Sequence, residues 1–202
     1  MNTVFVFDLD CTITKREILP LLASLVDKED LMQSLTDSAM INCNNFKENF
    51  LIRLETLKDI PLKKIQKTVL EIEIFPKIAD FIESNKENCY ILTGNLDLYV
   101  CDLVKKLGME NHCFSSIAQS ENGKICSVTS VINKGEELEK IKQKHKRLVC
   151  IGDGTNDIDM IKKADIGIAF SAVHKVCDEL MQVATHNIDS EDDLCNFLKK
   201  LI

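Results

Sequence analysis

What this 202-residue chain lacks narrows it first. No apolar run is long enough to cross a bilayer. The longest stretch free of Asp, Glu, Lys and Arg, Asn111–Ser120, is ten residues, whereas a spanning helix needs about 20. Breakers are scarce, with seven glycines and three prolines, and no Pro/Gly-rich linker, repeat or low-complexity segment divides the chain. No basic segment or cleavage signature accompanies the apolar run Val4–Phe7, so no secretory leader is expected. The nine cysteines include no CxxC pair. Their odd count and wide spacing disfavour a disulfide framework or a structural zinc site. They read as reduced residues of a cytoplasmic protein, mostly small core hydrophobes. Positive charge is in deficit, 25 Lys and Arg against 32 Asp and Glu. That argues against nucleic acid as a partner but leaves room for a small anion held by a few placed cations. The basic run Lys140–Arg147 reads as a helix terminus, where positive charge suits the dipole.

What is present is alternation. With 45% hydrophobic residues there is ample core material. Val4–Phe7, Cys89–Leu92, Leu148–Ile151, Ile166–Ala169 and Ala184–Ile188 read as strands. Helices are expected at Val100–Leu107 (stopping at Gly108), Asn156–Ala164, Val173–Gln182 and from Ser190. Ile117–Ile132 reads as a hairpin about Asn122-Gly123. From Glu17 to about Lys86 only helical periodicity occurs, with fresh starts at Pro61 and Pro76. The pattern predicts an α/β fold, a doubly wound parallel sheet formed by residues 1–14 and 77–202, with a small helical cap, residues 15–76, inserted after the first strand.

Ligands of such sheets bind beyond the carboxyl ends of the strands. Those ends deliver Asp8, Asp10 and Thr12; then Thr93, Gly94 and Asn95; then Asp153, Asn156 and Asp157, while Lys134 opens the helix after the hairpin. Each pair of carboxylates held 4 Å apart repels by about 4 kcal/mol at an effective dielectric near 20, so the set calls for a hard divalent cation such as Mg²⁺. With Thr93 and Lys134 facing phosphoryl oxygens, the combination reads as a phosphoryl-transfer site with a carboxylate nucleophile.

These segments resemble the four motifs of the haloacid dehalogenase superfamily: Asp8-Leu9-Asp10-Cys11-Thr12, the strand ending at Thr93, Lys134, and Gly152-Asp153-Gly154-Thr155-Asn156-Asp157. The resemblance implies that Asp8 is the nucleophile and Asp10 the general acid and then base. It further implies that Asp8, the Asp10 backbone oxygen and Asp153 hold Mg²⁺, with Asp157 orienting the metal waters and Lys134. Arg53 falls in the apolar stripe of Phe46, Phe50 and Leu57, a place where an arginine either snorkels or serves a ligand. Glu17, Met40, Phe46 and Arg53 match cap-pocket positions of the phosphoserine phosphatase branch, nine, 32, 38 and 45 residues after Asp8. By that resemblance they bind substrate together with Thr93, Gly94, Lys134 and Asn156, with Glu17 on an ammonium and Arg53 on a carboxylate.

The expected activity is Mg²⁺-dependent hydrolysis of a small phosphate ester, O-phosphoserine first, by a monomer or homodimer with no membrane partner. The alternatives are another phosphorylated metabolite, or transfer to an acceptor other than water. A phospho-acceptor signalling domain would be shorter and lack a cap; a non-catalytic protein of this fold would be expected to lack an essential acid. Asn95, where the branch carries Gly, and Pro20, where it carries polar residues, bear on the substrate. The four histidines show no ligand spacing and read as surface or core residues. Cys11 is expected to point away from the site, as alternate residues do near a strand end.

Overall fold

The computed structural model describes the backbone of residues 3–41 and 46–202 and the side chains of 3–35 and 47–202. Strand β1, Thr3–Phe7, is buried along its whole length. A continuous apolar run suits a strand covered on both faces. Phe5 and Phe7 enter one core, and Val4 and Val6 enter another on the opposite face of the sheet.

The remaining strands are β2, Cys89–Leu96; β3, Cys113–Glu121; β4, Lys124–Ser130; β5, Arg147–Gly152; β6, Ile166–Phe170; and β7, His186–Ile188. They form one sheet in the order β4-β3-β2-β1-β5-β6-β7. All neighbours are parallel except β3 and β4. Between β1 and β5 the winding reverses direction, which opens a crevice beyond their carboxyl ends. The β3–β4 hairpin turns where expected, with Asn122 and Gly123 both at positive φ, as a tight two-residue turn demands.

Helices α1 (Ile18–Ala23), α2 (Glu29–Ile41), α3 (Phe46–Leu57) and α4 (Leu62–Leu70) lie between β1 and α5, Pro76–Ser84. The two chain segments that carry them off and back pair side by side. Thr14 bridges Ile74, Lys15 N–H donates to Glu73 at 2.8 Å and Phe75 N–H to Ile13 at 2.9 Å. Pro20 sits in the first turn of α1, where no intrahelical N–H is needed. The last helices are α6 (Asp97–Lys106), α7 (Lys134–Lys142), α8 (Ile158–Lys163), α9 (Asp178–Val183) and α10 (Glu191–Lys199). None of the described helices is long and apolar enough to cross a membrane.

Three local expectations are corrected. Strand β2 runs on through Thr93–Leu96, with an irregular register against β3. Helix α9 starts at Asp178 rather than Val173, because the segment before it is drawn toward the strand ends by His174. Of the eight cysteines described, all are free but only Cys11, Cys89, Cys150 and Cys195 are buried.

Helix α5 is fixed to the sheet by Phe81, whose ring meets Phe5 edge-on at 5.0 Å and Phe7 at 6.3 Å. Phe81→Ala is expected to cost about 3–5 kcal/mol, the range for emptying a buried aromatic site. Denaturant unfolding should show a lower midpoint at unchanged slope. A loss below about 1 kcal/mol would mean that this contact does not anchor the helix.

Candidate active site

The carboxyl ends of β1 and β5 bring Asp8, Asp153 and Asp157 together. One oxygen of each lies within 4.8 Å of the others, and all three side chains are buried. Asp8 continues the β1 ladder, its N–H donating to Ile151 at 2.9 Å. Asp157 closes the turn after β5: its Oδ2 accepts the N–H groups of Asp153 and Gly154 at 3.1 and 3.0 Å. Gly152 makes that fold-back possible, since a Cβ there would sit 2.5 Å from Asp157 Cγ.

Lys134 reaches this cluster from the first turn of α7. Asn133 caps that helix, its side chain accepting from Gly135 N–H at 3.1 Å and Glu136 N–H at 3.3 Å. A cation at a helix N-terminus opposes the dipole. The position is compensated by two buried carboxylates: Lys134 Nζ donates to Asp8 Oδ1 and, at 2.6 Å, to Asp157 Oδ1. Burial raises Asp8 well above the ordinary carboxylate range, against the pull of Lys134, and the neighbouring acids add to the rise. The surplus of buried carboxylate over ammonium is the chemistry that a hard divalent cation satisfies. Asp157 spends its oxygens on Lys134 and on two backbone N–H groups, while Asp153 meets the Thr12 hydroxyl and the His174 ring; the motif reading that puts the ion on Asp8 and Asp153 is the one tested below.

Asp10 bridges the sheet and the inserted helices. Its Oδ1 accepts the Ile18 N–H at 2.8 Å, capping α1 in place of Glu17, which makes no cap bond. Its Oδ2 accepts from Asn95 Nδ2, which also contacts Thr93 Oγ1 at 3.2 Å. Burial lifts Asp10 to about 6, opposed by the Ile18 N–H. Asn95 is therefore turned onto Asp10.

Glu17, freed from capping, is pushed up to about 8 by burial, then by Asp10 and Asp153, while Arg53 and His174 pull it down. Arg53, on α3, is buried, and its guanidinium feels both Glu17 and Asp10. The side chains of Met40 and Phe46 lie outside the described residues. Thr93 is buried, and the Gly94 carbonyl accepts from Ser116 Oγ at 2.8 Å.

Two cavities flank the acids. One of about 440 Å³ is walled by Gly94, Lys134, Asn156 and, from α3, Lys47. The other, about 370 Å³, is walled by Cys11, Glu17, Pro20 and His174. The expected substrate residues are thus divided, with Gly94, Lys134 and Asn156 on one side and Glu17 on the other.

Two expectations fail here. His174 is neither surface nor core: its Nε2 lies 2.7 Å from Asp153 Oδ2, and that bond raises His174 to about 9. The clue was available, because His174 follows β6 at the same sheet edge that supplies the acids. Cys11 does not point away. Its φ of 51° breaks strand alternation, and its Sγ lies near carboxylate oxygens of Glu17 and Asp153. Thr12, whose Oγ1 donates to Asp153 Oδ1 at 3.3 Å, is a further support of the site.

Comparison with known proteins agrees with this geometry. A family model described as haloacid dehalogenase-like hydrolase matches residues 5–162. The chain is 30% identical over 181 residues to the phosphoserine phosphatase of Methanocaldococcus jannaschii, covering 84% of this chain and 85% of that one. It is 26% identical over 181 residues to that of Lactococcus lactis, covering 84% and 83%. A solved phospho-aspartyl intermediate analogue of phosphoserine phosphatase superposes with a TM-score of 0.83 at 29% identity, over 98% of this chain and 97% of that one. A substrate-bound phosphoserine phosphatase complex gives 0.83 at 28%, over 99% and 98%.

If Asp8 and Asp153 hold a divalent cation, Mg²⁺ should stabilise the fold by about 2.7 kcal/mol at a hundred times its Kd, or roughly 5–10 °C in Tm for a chain of this size. Asp153→Asn should remove that shift. A Tm indifferent to Mg²⁺ in the unaltered protein would show that the cluster holds no such ion.

Proposed function

The chain belongs to the haloacid dehalogenase-like hydrolases and is a phosphatase; from that premise we propose that it is a Mg²⁺-dependent phosphomonoesterase converting O-phosphoserine to serine and phosphate through an aspartyl phosphate. Asp8 attacks phosphorus, forming an Asp8–phosphorus bond as the bond to the serine oxygen breaks. Asp10 gives its proton to that oxygen. It then takes one from the water that releases phosphate. A group lifted to about 6 is suited to both steps, since acid–base efficiency peaks when the pKa lies near the working pH. Lys134 and Thr93 bind the phosphoryl oxygens, where charge develops. A divalent cation on Asp8, the Asp10 backbone carbonyl and Asp153 supplies electrostatic neutralisation of the phosphoryl group when bound.

The observation that carries the substrate reading is the half-buried Glu17 and the buried Arg53, an acid and a cation within electrostatic reach of each other and of Asp10. An α-amino acid offers each its complement: the ammonium restores the Glu17 carboxylate, and the carboxylate accepts the parallel donors of Arg53. Gly94 and Asn156, across from Glu17, complete the set on the phosphoryl side. A cytoplasmic location belongs to the same proposal.

Asp8→Asn, nearly isosteric but not nucleophilic, should lower turnover by several orders of magnitude with the fold intact; more than a few per cent residual activity in a pure preparation would place the nucleophile elsewhere. An unpaired buried ionic partner costs about 2–5 kcal/mol. Phosphoethanolamine, lacking the carboxylate, should therefore fall by roughly 30-fold or more in kcat/KM relative to phosphoserine. Arg53→Ala should slow phosphoserine strongly yet leave phosphoethanolamine nearly unchanged. Equal losses on both substrates would make Arg53 structural and remove the support for phosphoserine.

A further inference from the structure

A second group of donors stands beside the acids, and two of its members, Cys11 and His174, take no part in the chemistry above. Cys11 Sγ, a carboxylate oxygen of Glu17, another of Asp153 and a ring nitrogen of His174 all lie within 4.8 Å of one another. They arrive from the loop after β1, the residue just before helix α1, the turn after β5 and the loop before α9. Cys11, Glu17 and His174 also wall the cavity of about 370 Å³, so a small cation has room to approach them.

Two details distinguish this group from a chance meeting of polar side chains. Cys11 holds φ at 51°, a region uncommon for residues other than glycine, and by doing so presents its thiol to carboxylates rather than to the apolar core. A cysteine serving as a small hydrophobe gains nothing from the two carboxylates beside it. His174 has Nδ1 3.1 Å from the Lys175 carbonyl oxygen, while Nε2 faces Asp153. Anchoring one ring nitrogen on a backbone carbonyl is how proteins orient the imidazole of a metal ligand.

We propose that Cys11, Glu17, Asp153 and His174 bind a second divalent cation, one of borderline softness such as Zn²⁺, with Asp153 shared between it and the carboxylate site. Thiolate and imidazole favour zinc-like ions, whereas Mg²⁺ keeps to oxygen ligands, so the neighbouring sites discriminate by donor type. Bonds of about 2.0–2.3 Å let one ion reach all four donors after small side-chain rotations. The ion takes the places of the thiol proton and the Nε2 proton, which pass to solvent. With Glu17 engaged as a ligand, the ion competes with the substrate ammonium; this clause alone rests on the phosphoserine reading.

The test titrates the full chain, in excess Mg²⁺, with Co²⁺ as a spectroscopic stand-in for Zn²⁺. One equivalent should produce a near-ultraviolet thiolate-to-cobalt charge-transfer band. Cys11→Ser should abolish the band, and His174→Ala, in a partly exposed loop, should weaken Co²⁺ binding at least tenfold. Both variants should keep Mg²⁺-dependent hydrolysis, and Zn²⁺ inhibition should weaken at least tenfold in each. No band in the unaltered protein, or an undiminished band in Cys11→Ser, overturns the site, as does unchanged Co²⁺ affinity in His174→Ala. If the bands behave as expected but Zn²⁺ does not compete with phosphoserine, the metal site stands and Glu17 loses its assigned substrate role.

Discussion

The catalytic edge depends on one buried cation, the Lys134 ammonium, lodged between Asp8 and Asp157. Each partner comes from the end of a different strand, and the lysine itself opens a helix whose dipole disfavours it. The arrangement holds because all three are out of water and none is left unpaired; taking away one partner of such a pair typically costs about 3–5 kcal/mol. Through the second oxygen of Asp157 the same interaction sets the turn that carries Asp153. A phosphoryl group and a cation therefore meet a frame already built around fixed charges, which is the preorganisation electrostatic catalysis requires.

Asp10 couples that frame to the inserted helices. Its carboxylate caps α1 through Ile18 N–H and is held from the other side by Asn95. The residue assigned proton transfer thus also marks where the inserted helices begin. Capping by Asp10 instead of Glu17 has a consequence for recognition, because it leaves the Glu17 side chain to turn inward toward Arg53. Asn95 is itself buried. It spends its amide on Asp10 and Thr93.

Asp153 is the meeting point of two donor environments. Toward Asp8 it joins carboxylates suited to a hard cation; toward Cys11 and His174 it joins a thiol and an imidazole. Like-charge repulsion among the acids is common to both sides, and cations of different softness relieve it differently.

Much of this was legible along the chain. The unbroken apolar run Val4–Phe7 meant a strand covered on both faces, the alternation after Lys86 meant a parallel sheet, and Asn122-Gly123 meant a hairpin turn. Each depends on local sterics or periodicity, which neighbouring residues dictate. The acids and Lys134 were legible too, because strand ends in a doubly wound sheet share one edge. What local pattern could not supply was the direction of individual side chains. Alternation placed Cys11 outward, whereas a left-handed backbone turned it in; spacing made His174 bland, whereas the loop before α9 set it on Asp153. The helix predicted from Val173 starts later for the same reason, since a bond to a residue 21 positions away outweighs weak local helix propensity. The residue types and their order along the chain define the chemistry available, but which donors share an ion, and which carboxylate caps a helix, depend on contacts between segments far apart in sequence. Those contacts are settled by burial and by the rule that no buried charge is left without a partner.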